Sequence, residues 1–412
     1  MTTTGLVIAY GGLLTLATAI IYSGAYASLK PTSKPAKSST SPGDEEESDS
    51  DDERESEVID SAMALAYPII GSVMLLTLYL ALKYIGPEIF NLFLSAVFGF
   101  TGVGSVYATS TALAKALVSD SHPKTPRYNI ILKKGSQDLV SCKFSVTSLT
   151  LIPVSFIPAI AYFTLRGRDP LLAAMSTVVL SISFAFNALK QLKLDSFRTG
   201  TYLLAGLFFY DVWWVFGTDV MVSVATKADL PIKLLWPKRL YVTSSKDFVM
   251  LGLGDVVIPG LFIALALRYD QAKFLKALST PPSKTERTRF SAPYFKASIV
   301  SYVLGLVLTM SVMHFTKHPQ PALLYLSPAC VLSFVLVAIA RGELVQAWKW
   351  QEEDWGTGTK IEIEIEHEGD IPAVSTSLPG GMGGKTVCPT MNDSGPLHAN
   401  GAASVDGTSR SD

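Results

Sequence analysis

Residues 200 to 217 read "GTYLLAGLFFYDVWWVFG", an apolar and aromatic stretch with one carboxylate, Asp211, near its middle. A hydrocarbon core of about 30 Å takes close to 20 helical residues, so the stretch reads as a membrane-spanning helix. Comparable runs recur on both sides of it with polar breaks between them. Nine spans are expected, over 5–28, 60–84, 87–117, 146–166, 170–190, 200–224, 248–267, 296–316 and 319–340, which makes the chain an all-α polytopic membrane protein. The third run exceeds what one span needs and holds Gly99, Gly102 and Gly104, so it is expected to tilt or bend. "KYIGPE" divides the second run from the third, with Gly86 and Pro87 as punctuation. "GAYAS" at the end of the first run has the small residues of a signal-peptide cleavage site. No basic segment precedes that run and it is too long for such a peptide, so a retained helix is expected.

Bulk properties agree with this reading. The 412 residues are 49% hydrophobic and 17% charged with a net charge of −1, and mean hydropathy is +0.33. No basic surface argues for nucleic acid. Cys142, Cys330 and Cys388 are far apart and without ligand spacing, which speaks against a disulfide framework or a zinc site; no metal or other cofactor is expected. Lysines and arginines collect in alternate loops, at 124–143, 190–198 and 268–289, and so place those loops in the cytosol and the N-terminus on the opposite side. The loop between the sixth and seventh spans, with Lys227 to Lys246, runs against the trend. Two polar stretches lie outside the bundle. "SPGDEEESDSDDERESE" (41–57) is too charged to order itself and is expected as a disordered cytosolic linker spanning 29–59. The C-terminal stretch, 346–412, is expected to be a disordered tail; its alternating "KIEIEIEHE" (360–368) lacks a pairing partner, and the sequon at Asn392 would go unused in the cytosol.

Asp211 needs a reason to be where it is. An ionisable group at mid-membrane costs about 2.5–3.5 kcal/mol and is rare unless it meets a partner or a wet cavity. A second one, Asp255, follows in "MLGLGDVVIPG" (250–260). At about 1.5 Å per residue, Asp211 lies about 16 Å in from residue 200, and Asp255 about 18 Å from residue 267 on an antiparallel helix, so the two are expected face to face. Carboxylates that meet in a low-dielectric site cannot both ionise and share one proton. One can then draw a proton from water while the other protonates or hydrogen-bonds a peptide carbonyl, which suffices for amide hydrolysis without a metal or covalent intermediate. Buried acids in a polytopic bundle equally suit a proton- or cation-coupled transporter with the same residues as a relay, although no inverted repeat relates the two halves. Around Asp255, Gly252 and Gly254 remove side chains where a backbone must approach. Pro259 cannot donate to the carbonyl of Asp255, so a kink is expected.

Three short motifs carry a resemblance. Tyr210-Asp211, the "GLGD" of Gly252-Leu253-Gly254-Asp255, and "QPAL" at Gln320-Pro321-Ala322-Leu323 stand in order on the sixth, seventh and ninth spans. Together they resemble the signatures of intramembrane aspartyl proteases of the signal peptide peptidase and presenilin group, and the likeness is clear from about 180 to 350. The resemblance implies a presenilin-like fold of nine helices in the endoplasmic reticulum membrane, with a luminal N-terminus and a cytosolic C-terminus. It implies cleavage of remnant signal peptides and other type II membrane segments within the bilayer, with those segments and the lipid as partners; whether a second copy of the chain joins them is left open by the sequence. By motif, Asp211 and Asp255 are the catalytic dyad and Tyr210 positions it. Gly252 and Gly254, on either side of Leu253, are the close-approach glycines, and Pro321, Ala322 and Leu323, after Gln320, form the loop beside the scissile bond. On this division residues 60–190 are an N-terminal helix bundle following the helix of 1–28, and 191–345 the catalytic region. Asp219 is an additional acid, expected to be solvated, and "SRSD" at the C-terminus is not a retrieval signal. A relative that binds membrane segments without cutting them stays open as an alternative.

Helix arithmetic leaves one discrepancy. Counted back from Arg341, Pro321 would sit about 30 Å from the cytosolic face, about 12 Å beyond the dyad, unless the segment dips inward unwound. A helical substrate must also be opened before it is cut. The "QPAL" stretch and the loop 225–247 are candidates for a backbone edge that pairs with it as an added strand.

Overall fold

In hydrocarbon a backbone must satisfy its own N–H and C=O groups, so long apolar runs fold as helices. The computed structural model describes residues 3–29, 57–118, 127–134, 137–165, 168–227, 232–238, 247–277, 290–316 and 320–352. Eleven helices are found among them: α1 (Thr3–Ala27), α2 (Ser61–Tyr84), α3 (Pro87–Val118), α4 (Val146–Leu165), α5 (Pro170–Gln191), α6 (Phe197–Phe216), α7 (Val220–Lys227), α8 (Gly254–Ala277), α9 (Pro293–Thr316), α10 (Leu323–Ala340) and α11 (Leu344–Lys349). Each of the nine expected runs overlaps at least one of them. Gly86, at φ 91°, ends α2, and Pro87 opens α3 at the position where a missing N–H costs nothing. Six helices, α1, α2, α3, α5, α9 and α10, are long and apolar enough to cross a membrane. Of the rest, α4 has a shorter apolar segment, 149–165. Helices α6 and α8 carry the acids, and α8 also carries Arg268, Asp270, Lys273 and Lys276.

The all-α expectation needs amendment, because the described residues include three two-stranded sheets. Strand β1 (Glu57–Ile59), the end of the expected disordered linker, pairs in parallel with β4 (Leu192–Leu194). Strands β2 (Arg127–Lys134) and β3 (Gln137–Ser145) form an antiparallel hairpin between α3 and α4. Strands β5 (Lys233–Pro237) and β6 (Phe248–Gly252) pair antiparallel, Lys233 opposite Gly252. The sixth expected span therefore splits into α6 and α7, and the seventh begins as a strand and becomes a helix only at Gly254. Asp219 is exposed, and its carbonyl accepts the Ser223 N–H at the start of α7. Residues 30–56 of the acidic linker, the alternating tail segment, the sequon and Pro319 lie outside the described residues.

Helix α8 is the axis of the bundle. Every residue from Pro259 to Asp270 is buried, enclosed by α1, α5, α6, α9 and α10. On α1, Ala9, Leu13, Ala17, Ile21 and Ala25 recur every fourth residue and are all 0% exposed, the spacing that keeps one helix face against its neighbours. Trp236 of β5 lies against Gly12 of α1, which seats the β5–β6 hairpin on the bundle. Outward faces remain apolar, as on α2, where Ile69, Ile70, Val73 and Met74 are exposed as suits contact with lipid.

Past α10 the chain turns back under the bundle, so the expected tail is ordered over its first residues. Ala347 of α11 is fully buried, Trp350 packs on Phe197 and Tyr269, and Gln351 bridges to Ser196. Glu352 pairs with Arg268 at 2.8 Å, with side chains only 11% and 4% exposed. The same guanidinium donates to Ser28 Oγ at 3.3 Å and to the Leu194 carbonyl at 3.5 Å. This clasp joins α1, β4, α8 and the returning segment.

Candidate active site

Asp211 stands on α6 and is 5% exposed. Its neighbours on the helix are fixed by contacts to α2: Tyr210 donates its hydroxyl to the Gly71 carbonyl at 3.5 Å, and Trp214 Nε1 donates to Ser72 Oγ at 3.1 Å. Tyr210 thus reaches across to α2. Whatever positioning it gives Asp211 comes through holding α6 in place.

Asp255 stands in the first turn of α8, one residue beyond the strand-to-helix junction, and is half-buried. The junction explains the glycines. A Cβ on Gly252 would lie 3.1 Å from Asp255 Oδ2, a tight approach that would press the carboxylate aside by a few tenths of an ångström. Around Gly254 the nearest atom a Cβ would meet is Ile258 Cδ1 at 3.9 Å; the fold itself does not require glycine at that position. Both glycines are exposed and Leu253 between them is half-buried, so this side of Asp255 opens outward. The carbonyl of Leu253 accepts the Val257 N–H at 2.9 Å, which starts the helix. The Asp255 carbonyl, deprived of a donor by Pro259, accepts the hydroxyl of Tyr302 from α9 at 3.4 Å. Sequence reasoning gave no signal for Tyr302 beyond the vacancy at that carbonyl.

Helices α6 and α8 are in contact, and each carries one of the acids. The third motif joins them. The main-chain N–H of Leu323 donates to Asp211 Oδ2 at 3.2 Å, and Pro321, Ala322 and Leu323 are all buried. Gln320 caps the end of α9 by donating its Nε2 to Thr316 Oγ1 at 3.4 Å.

The expected 12 Å gap at the third motif does not exist, because Arg341 is the wrong zero for the depth scale. Phe197, the first residue of α6, stacks on Phe334 with ring centroids 4.0 Å apart, so α10 runs about 10 Å past the level at which α6 begins. Measured from that stacked pair, Asp211 is about 21 Å along α6 and Leu323 about 16 Å along α10, within one turn of each other. The backbone before Leu323 is irregular, as the prolines allow; from Leu324 onward the N–H groups return to Pro321 and Ala322.

A buried acid, a half-buried one, an exposed flank bare of side chains and a main-chain donor aimed at one carboxylate form a site suited to proton exchange with water and a peptide carbonyl. Comparison with known proteins points the same way. A family described as signal peptide peptidase matches residues 51–354. The chain is 36% identical to signal peptide peptidase of Homo sapiens over 356 residues, 85% of each chain. It is 33% identical to a probable intramembrane protease of Schizosaccharomyces pombe over 299 residues, 73% of this chain and 86% of that one. Over 178 residues, 42% of this chain and 37% of the other, it is 46% identical to intramembrane protease 2 of Caenorhabditis elegans.

Proposed function

The chain belongs to the signal peptide peptidase family and is an intramembrane aspartyl protease, and we propose that Asp211 and Asp255 are its catalytic pair. What supports this reading is the convergence of three separated motifs: α6 and α8, which carry the acids, are in contact, and Leu323 donates to Asp211. One acid takes a proton from the attacking water while the other, protonated, delivers a hydrogen bond and then a proton to the scissile carbonyl oxygen. The tetrahedral diol collapses as the nitrogen of the leaving strand is protonated, and the pair returns to its single shared proton. Nothing beyond the buried acids themselves favours a transporter.

The substrates in this reading are type II-oriented membrane segments, remnant signal peptides among them. With α4, α6 and α8 counted beside the six strongly apolar helices, the chain crosses the endoplasmic reticulum membrane nine times, its N-terminus luminal and its C-terminus cytosolic. Leu323 is already engaged, so the edge that holds an unwound substrate belongs to the β5–β6 hairpin, whose second strand leads directly into Asp255. The test uses purified protein in liposomes with a signal-peptide-like helix. The parent cuts it into two products, whereas Asp211→Ala and Asp255→Ala give none; equal cleavage by either variant ends the assignment.

A further inference from the structure

A proline inside a helix leaves the carbonyl four residues earlier without its intrahelical donor. In α8 that carbonyl belongs to Asp255 itself, so the residue proposed to do chemistry sits where its own helix is weakest. A carbonyl without a donor away from water is costly, and a first turn lacking that bond is free to shift. The fold answers with Tyr302, which is fully buried and whose hydroxyl donates to the Asp255 carbonyl at 3.4 Å.

Tyr302 is held firmly enough to act as a reference point. One turn on, Gly305 lets α10 come close: a Cβ there would lie 3.2 Å from Leu326 Cδ2 and 3.3 Å from the Ala329 Cβ. One residue before Tyr302, the hydroxyl of Ser301 donates to the Ala329 carbonyl, and one turn earlier Ser333 of α10 meets Ser298 at 3.5 Å. The face of α9 that presents Tyr302 is therefore pinned to α10. The opposite end of this α9–α10 unit is Leu323, the donor to Asp211. A single packed helix pair thus grips both acids, one through a side chain and the other through the main chain.

We propose that Tyr302 is a positioning residue for the Asp255 half of the dyad, acting through the main-chain carbonyl that Pro259 leaves without a donor. This rests on Asp255 being catalytic. The hydroxyl replaces the missing helix bond from outside the helix and thereby ties the attitude of Asp255 to α9 and α10. Ordinary helical continuity would have tied it to α8 alone. Phenylalanine at 302 fills the same space without the donor, so the loss appears in the chemical step and not in substrate binding.

The experiment is a double-mutant cycle of Tyr302→Phe and Pro259→Ala, with cleavage rates normalised to active sites titrated by a transition-state mimic. Tyr302→Phe in the parent is expected to lower kcat about tenfold, the equivalent of one hydrogen bond of about 1.4 kcal/mol, with KM changed less than about twofold. Alanine at 259 restores an N–H to the Asp255 carbonyl, so in the Pro259→Ala background the same substitution is expected to cost less than about twofold. An undiminished tenfold loss there, a parent-like kcat for Tyr302→Phe, or a loss confined to KM or to thermal stability overturns the proposal. If Pro259→Ala does not fold, the kcat-against-KM split of Tyr302→Phe decides alone. Asp255→Ala runs alongside: cleavage by that variant defeats the dyad itself, whereas an inactive Asp255→Ala beside a fully active Tyr302→Phe defeats only the role of Tyr302.

Discussion

Removing one partner of the Arg268–Glu352 pair should destabilise the whole bundle. The pair is 2.8 Å long and nearly sealed from water, and deleting one charge strands the other. Such a loss costs about 3–5 kcal/mol, and the residual exposure of Glu352 favours the lower end, about 3 kcal/mol. In a chain of this size each kcal/mol moves Tm by about 2 °C, so Glu352→Gln and Arg268→Met are each expected to lower it by about 6 °C. Replacing both, Arg268→Met with Glu352→Leu, removes the stranded charge and should recover most of the loss. The assay is unfolding in detergent at one fixed scan rate, followed by tryptophan fluorescence, for which Trp350 is two residues from the pair. Added salt should matter little, because buried pairs are poorly screened. A single variant within about 1 °C of the parent, or a double variant that falls by the sum of the two, refutes the clasp as a stability element.

Asp211→Asn keeps an acceptor for the Leu323 N–H and should fold with parental Tm while losing all cleavage; retained cleavage counts against the dyad. Gly252→Ala, which pushes a Cβ to 3.1 Å from the Asp255 carboxylate, should lower kcat several-fold, and Gly254→Ala, whose Cβ would make only an ordinary contact with Ile258, should leave Tm unchanged. Under the proposed pairing of the acids, kcat should follow a bell-shaped pH profile between about pH 4 and 9, and a flat one argues against a shared proton. Glu343, just past the C-terminal end of α10, accepts from Lys273, which holds its carboxyl below the usual glutamate range. A depressed pKa contributes stability above the unfolded value, and that contribution disappears as pH falls through the folded one. The Tm gap between the parent and Glu343→Gln should accordingly be present at neutral pH and close under acid, as thermal scans across that range would reveal.

Length and apolarity placed a long helix in each expected run, closely for α2, α3, α5 and α9, but missed the ends of α6 and α8 by six to ten residues. They misread "FVMLG" (248–252) for a reason periodicity cannot overcome: a short, wholly apolar run suits a buried strand and a helix equally. Its partner, "KLLWP" (233–237), became visible only through the pairing. The acids and Leu323 were legible because their motifs are local in sequence. Tyr302 was not, because its role depends on a carbonyl 47 residues away. Glu352 was hidden similarly: a charged residue at the edge of a polar tail looks solvated until Arg268, 84 residues earlier, is brought under it.

The enclosure of α8 bears on how such a sequence can drift. Along the outward faces of α2 one aliphatic residue can replace another at little cost, since lipid conforms to whatever shape it meets. From Pro259 to Asp270 every direction is occupied by protein, so a methylene gained or lost must be absorbed by a neighbouring helix. Random substitution should therefore be purged from that stretch even at positions remote from any chemistry, and a saturation scan would trace the axis as a continuous intolerant band without reference to activity.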